Sequence, residues 1–596
     1  MITSPTKPQF SSALLIASAM FSMAHGGMLQ ADEDLAEKAI GILQSRCSRC
    51  HGSAAKQAGL DVLSRESLLE KRGAVGSEFS FLVPGNNEKS QLLDALTGDD
   101  SYMPQEGSPE AKAMTAAEKQ VLREWVAAGA VFPKRRTAKF VSEKQILTSI
   151  STFLLKSKAD DRQYLRFFTF AHLNNNDSIS ELELRYYKAA LSKVVNSLSN
   201  MRDACLPRAI DGSDDTVFVV DLRRVGWEQR GLWDTILKEY PYGLKYDFVK
   251  DEELQQLGKD VALFAGGELP YVRGDWFTVT ASRPPLYHTI LDIPMQVSVL
   301  EKRLGLNIES NFKSGQMQRA GYAKSGVSQQ NRMIERHTPP STPYFWISYD
   351  FLPRRAKGDL VRFPLGPVFK GNAYPKQAFE HDGGEVIWSL PNGMQAFMLA
   401  DGKGGRIDSG PIDVVFDRAG ILGGPQIVNG ISCMYCHREG MISNFRDEIR
   451  GADAVAGDAR KKVLEIYPTH EEMQKLVRSD SEVFLRASEK IFGPFLKIGN
   501  DSGKAIGDFP EPVGKVAEMY SRDLTPNEIA FELGIEKSEL LQAKIEANRE
   551  LLRFGLGTIV QQPPGTIKRE KWESKEGTSL MQDVASELRL GLPIVR

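Results

Sequence analysis

Cys47-Ser48-Arg49-Cys50-His51 decides how this chain is read, and the pattern returns at Cys433-Met434-Tyr435-Cys436-His437. The C-x-x-C-H spacing is that of covalent haem attachment: two thiols add to the porphyrin vinyl groups, and the adjoining imidazole binds the iron. Chance does not account for it. With five cysteines and eight histidines in 596 residues, random placement gives one such motif in roughly two thousand chains. Here two motifs consume four of the five cysteines. Disulfides and zinc are the competing uses of paired cysteines, but a structural zinc gathers four ligands at one point, and these pairs lie in distant parts of the chain. The sequence therefore predicts two covalently attached haems c. Cys47, Cys50, Cys433 and Cys436 are the attachment points, and His51 and His437 the iron ligands.

The length exceeds that of a single domain, and 41% hydrophobic residues are enough to fill real cores. A net charge of −2 from 75 basic and 77 acidic side chains gives no electrostatic basis for nucleic acid or an anionic membrane as partner. Lys7 precedes an apolar run from Ser11 to Ala24 flanked by small residues. That reads as a secretory signal over 1–31, cut near Gly26 or Ala31 and too short to span a bilayer. The expectation is a periplasmic or otherwise exported protein, with no transmembrane segment after signal cleavage. Cys205, the leftover cysteine, is expected to be buried and inert.

Residues 32–135 read as a small all-α haem domain. Ala36, Ile40 and Leu43 recur at helical spacing before Cys47. Thr115 and Glu118 form a capping box that opens a helix through Val121, Leu122, Trp125 and Val126, which Gly129 stops. Between the two helices lies Ser101-Tyr102-Met103-Pro104. A thioether is a common sixth ligand of c-type haem iron, and the proline stiffens the loop that presents it. Met103 is the expected partner of His51 on the first iron.

The order C-S-R-C-H, A-G-L-D-V-L, V-P-G-N-N-E-K-S-Q-L-L, Y-M-P and L-R-E-W-V-A-A-G-A-V-F-P resembles the planctomycete-type cytochrome c domain over about a hundred residues. The resemblance implies a small helical haem domain with His51 and Met103 as axial ligands. Met-Pro-Gln stands where that family often has Met-Pro-Pro.

Residues 136–419 read as a central α+β domain. Ser180 and Glu183 make a capping box for a helix through Leu184, Tyr187, Leu191, Val194 and Leu198. Strands are expected at Thr216–Val220, Trp276–Thr280, Tyr344–Ile347 and Glu385–Leu390. Ala396–Ala400 and Ile412–Phe416 read as a hairpin across the glycine-rich turn at 401–405. Asn174–Asp177 lacks the spacing of a calcium loop and reads as a helix entry. His172, His288, His337 and His381 each read as structural, with one of the four free to reach a haem. Blocks such as F-E-H-D-G-G-E-V-I-W-S-L-P-N-G-M-Q-A-F-M-L-A-D resemble the central part of large exported multihaem-type cytochromes of planctomycetes and related bacteria, a resemblance that supplies no reaction and no catalytic residue.

Residues 420–596 read as a helical second haem domain, with Pro526 opening one helix. The ligand opposite His437 stays open. Met441 is too near in sequence to swing around the haem, and His470, Met473 and Met519 lack the Met-Pro setting of Met103. The fold class is thus α+β multidomain: an N-terminal all-α cytochrome c domain, a central α+β domain and a C-terminal helical haem domain. The leading function is electron transfer through two haems, to a redox protein or a small oxidant. A dihaem peroxidase-like enzyme with an open second haem, and an envelope binding module carrying haems, are the alternatives.

Overall fold

In the first unit, the chain that leads into Cys47 is helical because its apolar positions return on one face. Ala36, Ala39 and Leu43 are fully buried there. The computed structural model describes residues 35–36, 38–43, 46–47, 51, 59–73, 78–96, 114–132, 136, 138–326, 330–353, 356–416, 424–561 and 564–595. They divide into two units, Met1–Arg136 and Thr137–Arg596. The expected signal segment lies outside the described residues.

Helix α1, Ala116–Ala127, closes the first unit. Its start is the expected capping box: the Thr115 hydroxyl accepts from the Glu118 amide, and the Glu118 carboxylate accepts from the Thr115 amide. Gly129, at φ +97°, ends it. Leu122, Trp125 and Val126 face inward onto Leu43, Leu68, Leu82 and Leu93.

The second unit is mixed α+β. Helix α2, Glu181–Ser197, opens on the Ser180–Glu183 capping box and is buried along most of its length. Strands β1 (Leu165–Thr169), β2 (Arg208–Ala209), β3 (Val217–Asp221) and β4 (Tyr271–Arg273) form a sheet in the order β2-β3-β1-β4. Phe167 pairs antiparallel with Val219 and parallel with Tyr271. Helix α3, Gly274–Ala281, follows β4 directly.

A six-stranded antiparallel sheet comes next, its strands adjacent in chain order. They are β5 (Gln318–Tyr322), β6 (Arg332–His337), β7 (Phe345–Asp350), β8 (Gly383–Ser389), β9 (Gln395–Asp401) and β10 (Arg406–Ile407). The register places Glu385 opposite Leu399, and Trp388 between Phe345 and Ala396.

Two expected strands are not strands. Residues 276–280 lie within α3. Trp276, Phe277, Thr278, Val279 and Ala281 are all buried, so the segment carries no amphipathic period, and its β-branched and aromatic content is overridden by packing. Gly274 makes this possible, since a Cβ there would meet the Phe170 ring at 2.4 Å. The hairpin partner of β9 is Arg406–Ile407 rather than Ile412–Phe416. Asp401 accepts from the amides of Lys403 and Gly405, which turns the chain within four residues and starts the return strand at once.

Helices α4 (Ile431–Cys436), α5 (His470–Ile491) and α6 (Pro512–Tyr520) pack back onto this framework: α2 touches α5 and α6, and α6 also touches α3 and α4. The stretches 136–419 and 420–596 therefore share one apolar core, which runs through Leu191, Phe277, Phe397, Ile431, Phe484 and Val516. Buried ion pairs cross it: Lys193 to Glu511 at 2.7 Å, and Arg336 to Asp480 through two bonds of 2.7 and 2.9 Å. Glu532 lies between Arg273 and Arg569. Among the described residues no helix is long and apolar enough to cross a membrane.

Candidate haem-attachment sites

The first motif continues the N-terminal helix. The Cys47 amide donates to the Leu43 carbonyl and the His51 amide to the Cys47 carbonyl, both at 2.9 Å. The His51 carbonyl then accepts from Val62. Cys47 packs on the apolar core, and Arg46 beside it grips Glu118 at the start of α1 through two bonds of 2.9 and 2.7 Å. Burial pushes the Glu118 carboxyl up, but its bonds to Thr115 and Arg46 outweigh this and hold it below the usual range. Trp125 is buried and donates to the Val131 carbonyl. Cys50 and Met103, expected as attachment point and ligand, lie outside the described residues.

The second motif forms α4 and lies against the six-stranded sheet. Its entry is held by Asn429, whose amide nitrogen bonds His288 Nε2 at 2.6 Å and whose backbone donates to Asp408. Gly430 then turns at φ +86° against the Ser282 carbonyl, where a Cβ would come within 2.4 Å. One helical turn brings Cys433 and Cys436 to successive levels: Cys433 is 3% exposed, while Cys436 lies at the surface. His437 follows, buried, and its ring lies 5.9 Å from that of Phe397 on β9.

The two nitrogens of His437 have separate tasks. Nδ1 is 3.0 Å from the Gly440 carbonyl oxygen, an acceptor that places a proton on Nδ1 and turns Nε2 the other way. Gly440 sits at φ +98° against Ser481, where a Cβ would come within 2.7 Å, so no other residue fits. Nε2 faces Glu385 Oε2 at 3.6 Å. Burial pushes the Glu385 carboxyl up, and the neighbouring His437 and Cys433 more than offset this. The Cys433 thiol is pushed well up by burial and by the Glu385 charge.

These residues fit haem. Two cysteines one turn apart precede an imidazole whose orientation is already set. A surface cleft of about 740 Å³ lies at Arg438, Glu439, Arg486 and Ile506, and neither cysteine nor His437 lines it. Among the described residues no group of three or more His, Cys, Asp or Glu side chains is gathered to hold a bare metal ion. A porphyrin needs none, since the protein supplies only axial donors.

The sequence candidates for the opposite ligand fall elsewhere. Both nitrogens of His337 are taken, by Asn311 and Glu335. His381 packs edge-on against Tyr349, and His172 bonds Asp275. Met473 and Met519 are buried in α5 and α6, His470 is exposed, and Met441 Sδ accepts from Gln395. Cys205 is buried as expected. Sequence reasoning missed Glu385, Gly440 and Asn429. The available signal was an acidic residue heading the otherwise apolar strand run Glu385-Val386-Ile387-Trp388.

Residues 47–107 match the family model described as Planctomycete cytochrome C. The N-terminal unit therefore carries a planctomycete-type cytochrome c domain, a haem-binding module of the electron-transfer class. A domain of this type implies covalently bound haem. No curated protein and no solved structure matches the chain.

Proposed function

We propose that the protein is an exported dihaem c-type cytochrome that passes electrons through both haems. The observation that carries the reading is the second motif: an attachment pair followed by a histidine whose Nδ1 is anchored on Gly440 and whose Nε2 is directed away from it. The family match supports the first site, with Cys47, Cys50, His51 and Met103 in the roles that the sequence assigns. Cys433, Cys436 and His437 are the corresponding residues of the second.

Bound at these places, haem supplies a one-electron couple whose potential follows its axial donors and burial. The chain's own part is positional. Gly440 holds the His437 tautomer, Asn429 and His288 hold the start of α4, and Phe397 and the sheet wall exclude water from the His437 ring.

The test is a count. Protein exported from a host with active haem maturation should gain the mass of two haems, and both should survive acid–acetone extraction. A gain of one haem, or zinc on the cysteines, overturns the dihaem reading.

A further inference from the structure

We propose that Tyr246 and Tyr271 form a one-electron donor site: a phenol gives its electron to a diffusible outer-sphere oxidant while its proton passes to Glu143. The site is independent of the haem reading.

The second unit holds two tyrosine pairs built to one plan. In each, both hydroxyls donate to a single carboxylate oxygen. Tyr246 and Tyr271 donate to Glu143 Oε1 at 2.8 and 2.5 Å, with their own oxygens 3.2 Å apart. Tyr242 and Tyr520 donate likewise to Glu573 Oε1, and their oxygens are 3.4 Å apart. Tyr271 opens β4, and Glu143 is the first residue of the helix Glu143–Lys156. Tyr246 and Tyr271 are nearly covered, at 8% and 7% exposure.

That setting ties the electron to the proton. Burial, with the Glu143 charge adding to it, pushes both phenols well above their ordinary value, so neither ionises by itself. Removing an electron alone would leave an uncompensated cation where little water reaches to solvate it. The carboxylate supplies the way out. As the electron leaves, the O–H bond breaks and the proton crosses one hydrogen bond to Glu143 Oε1. What remains is a neutral phenoxyl beside a neutral carboxylic acid, and the oxidant is reduced by one electron. A one-electron reductant later restores the phenol, with the proton returning from Glu143.

The second pair differs in its cations. The Arg273 guanidinium lies 3.7 Å from the Tyr242 ring centre, and that of Arg569 lies 4.4 Å from the Tyr520 ring centre. A positive charge over a ring holds its electrons, so this pair resists oxidation. Among the described residues no cation stands at such a distance over Tyr246 or Tyr271. One hydrogen-bond plan thus makes a structural lock in one place and a donor in the other.

The experiment oxidises full-length protein with photogenerated ruthenium(III) tris-bipyridine and freezes it for electron paramagnetic resonance. Any haem iron is first made ferric, so that ferrous iron does not supply the electron. Wild type should give a long-lived tyrosyl signal, whose hyperfine splitting collapses in protein grown on ring-deuterated tyrosine. Tyr246→Phe with Tyr271→Phe should lose that signal. Glu143→Gln should lose it too, since an amide oxygen is too weak a base to hold the proton. Tyr242→Phe with Tyr520→Phe should leave it unchanged. Circular dichroism checks that each variant is folded. Should the first double substitution unfold the chain, Glu143→Gln, which keeps the shape of the acceptor, decides alone. The proposal is overturned by the lack of a long-lived tyrosyl signal in wild type, by a signal that survives loss of Tyr246 and Tyr271 or of the Glu143 carboxylate, or by one that disappears with Tyr242 and Tyr520.

Discussion

The two C-x-x-C-H motifs are identical in spacing and different in every support around them. The first is held locally, with a short helix before it and Arg46 reaching Glu118 at the head of α1. The sequence expects its sixth ligand at Met103, within the same unit. The second is held by distant chain: His288 fixes its entry, Ser481 crowds the glycine that orients its histidine, and a β-strand supplies the group that faces Nε2. The motif is therefore portable, while its setting is built by the chain around it.

The largest effect should come from removing the second attachment. Cys433→Ser with Cys436→Ser should cost one whole haem by mass while leaving the first spectroscopically intact. Loss of both haems would mean that the two sites do not mature independently.

Met103→Ala should abolish the weak charge-transfer band of thioether-ligated ferric haem and make the first haem open to carbon monoxide. Persistence of the band would move the ligand role to another residue and weaken the contrast with the second site.

Acid should act on the second site through His288. Its usual value is 6.5, and burial, with Arg406 adding, pushes it down to about 4; Asp408 opposes this. Between those values the unfolded chain binds the proton that the folded one refuses. Stability is then intact above about pH 6.5 and falls by about 3 kcal/mol as pH drops toward 4. Urea unfolding at pH 7 and pH 4.5 measures the slope, which His288→Gln should flatten.

The smallest effect belongs to the first unit. Arg46→Ala removes a partly buried ion pair and should cost about 1 kcal/mol, read as a small drop in thermal midpoint through the first haem's absorbance.

What was legible in the sequence was what is local. The capping boxes at Thr115 and Ser180, the stop at Gly129 and the haem motifs themselves are each decided within a few residues. What was illegible depends on non-local packing. Residues 276–280 have strand composition, but 276–279 are all buried, so no amphipathic period marks them as helix. Glu385 enters the site through the pairing of β8 with β7 and β9, a register that no short pattern encodes. His337, with an acid and a base beside it in sequence, looked like a candidate ligand and is instead locked to Glu335 and Asn311.

The packing of α2 on α6 sets an order of events. Lys193 is buried, and its ammonium meets its carboxylate partner only at Glu511. Until the chain has been delivered past that residue, closing the core would strand a charge, at about 3–5 kcal/mol for an unpaired buried ion. Contacts so distant in sequence form late, because loop closure must precede them. Folding chain should therefore pass through a stage in which Lys193 has yet to meet Glu511 while Cys433 and Cys436 are still on open chain.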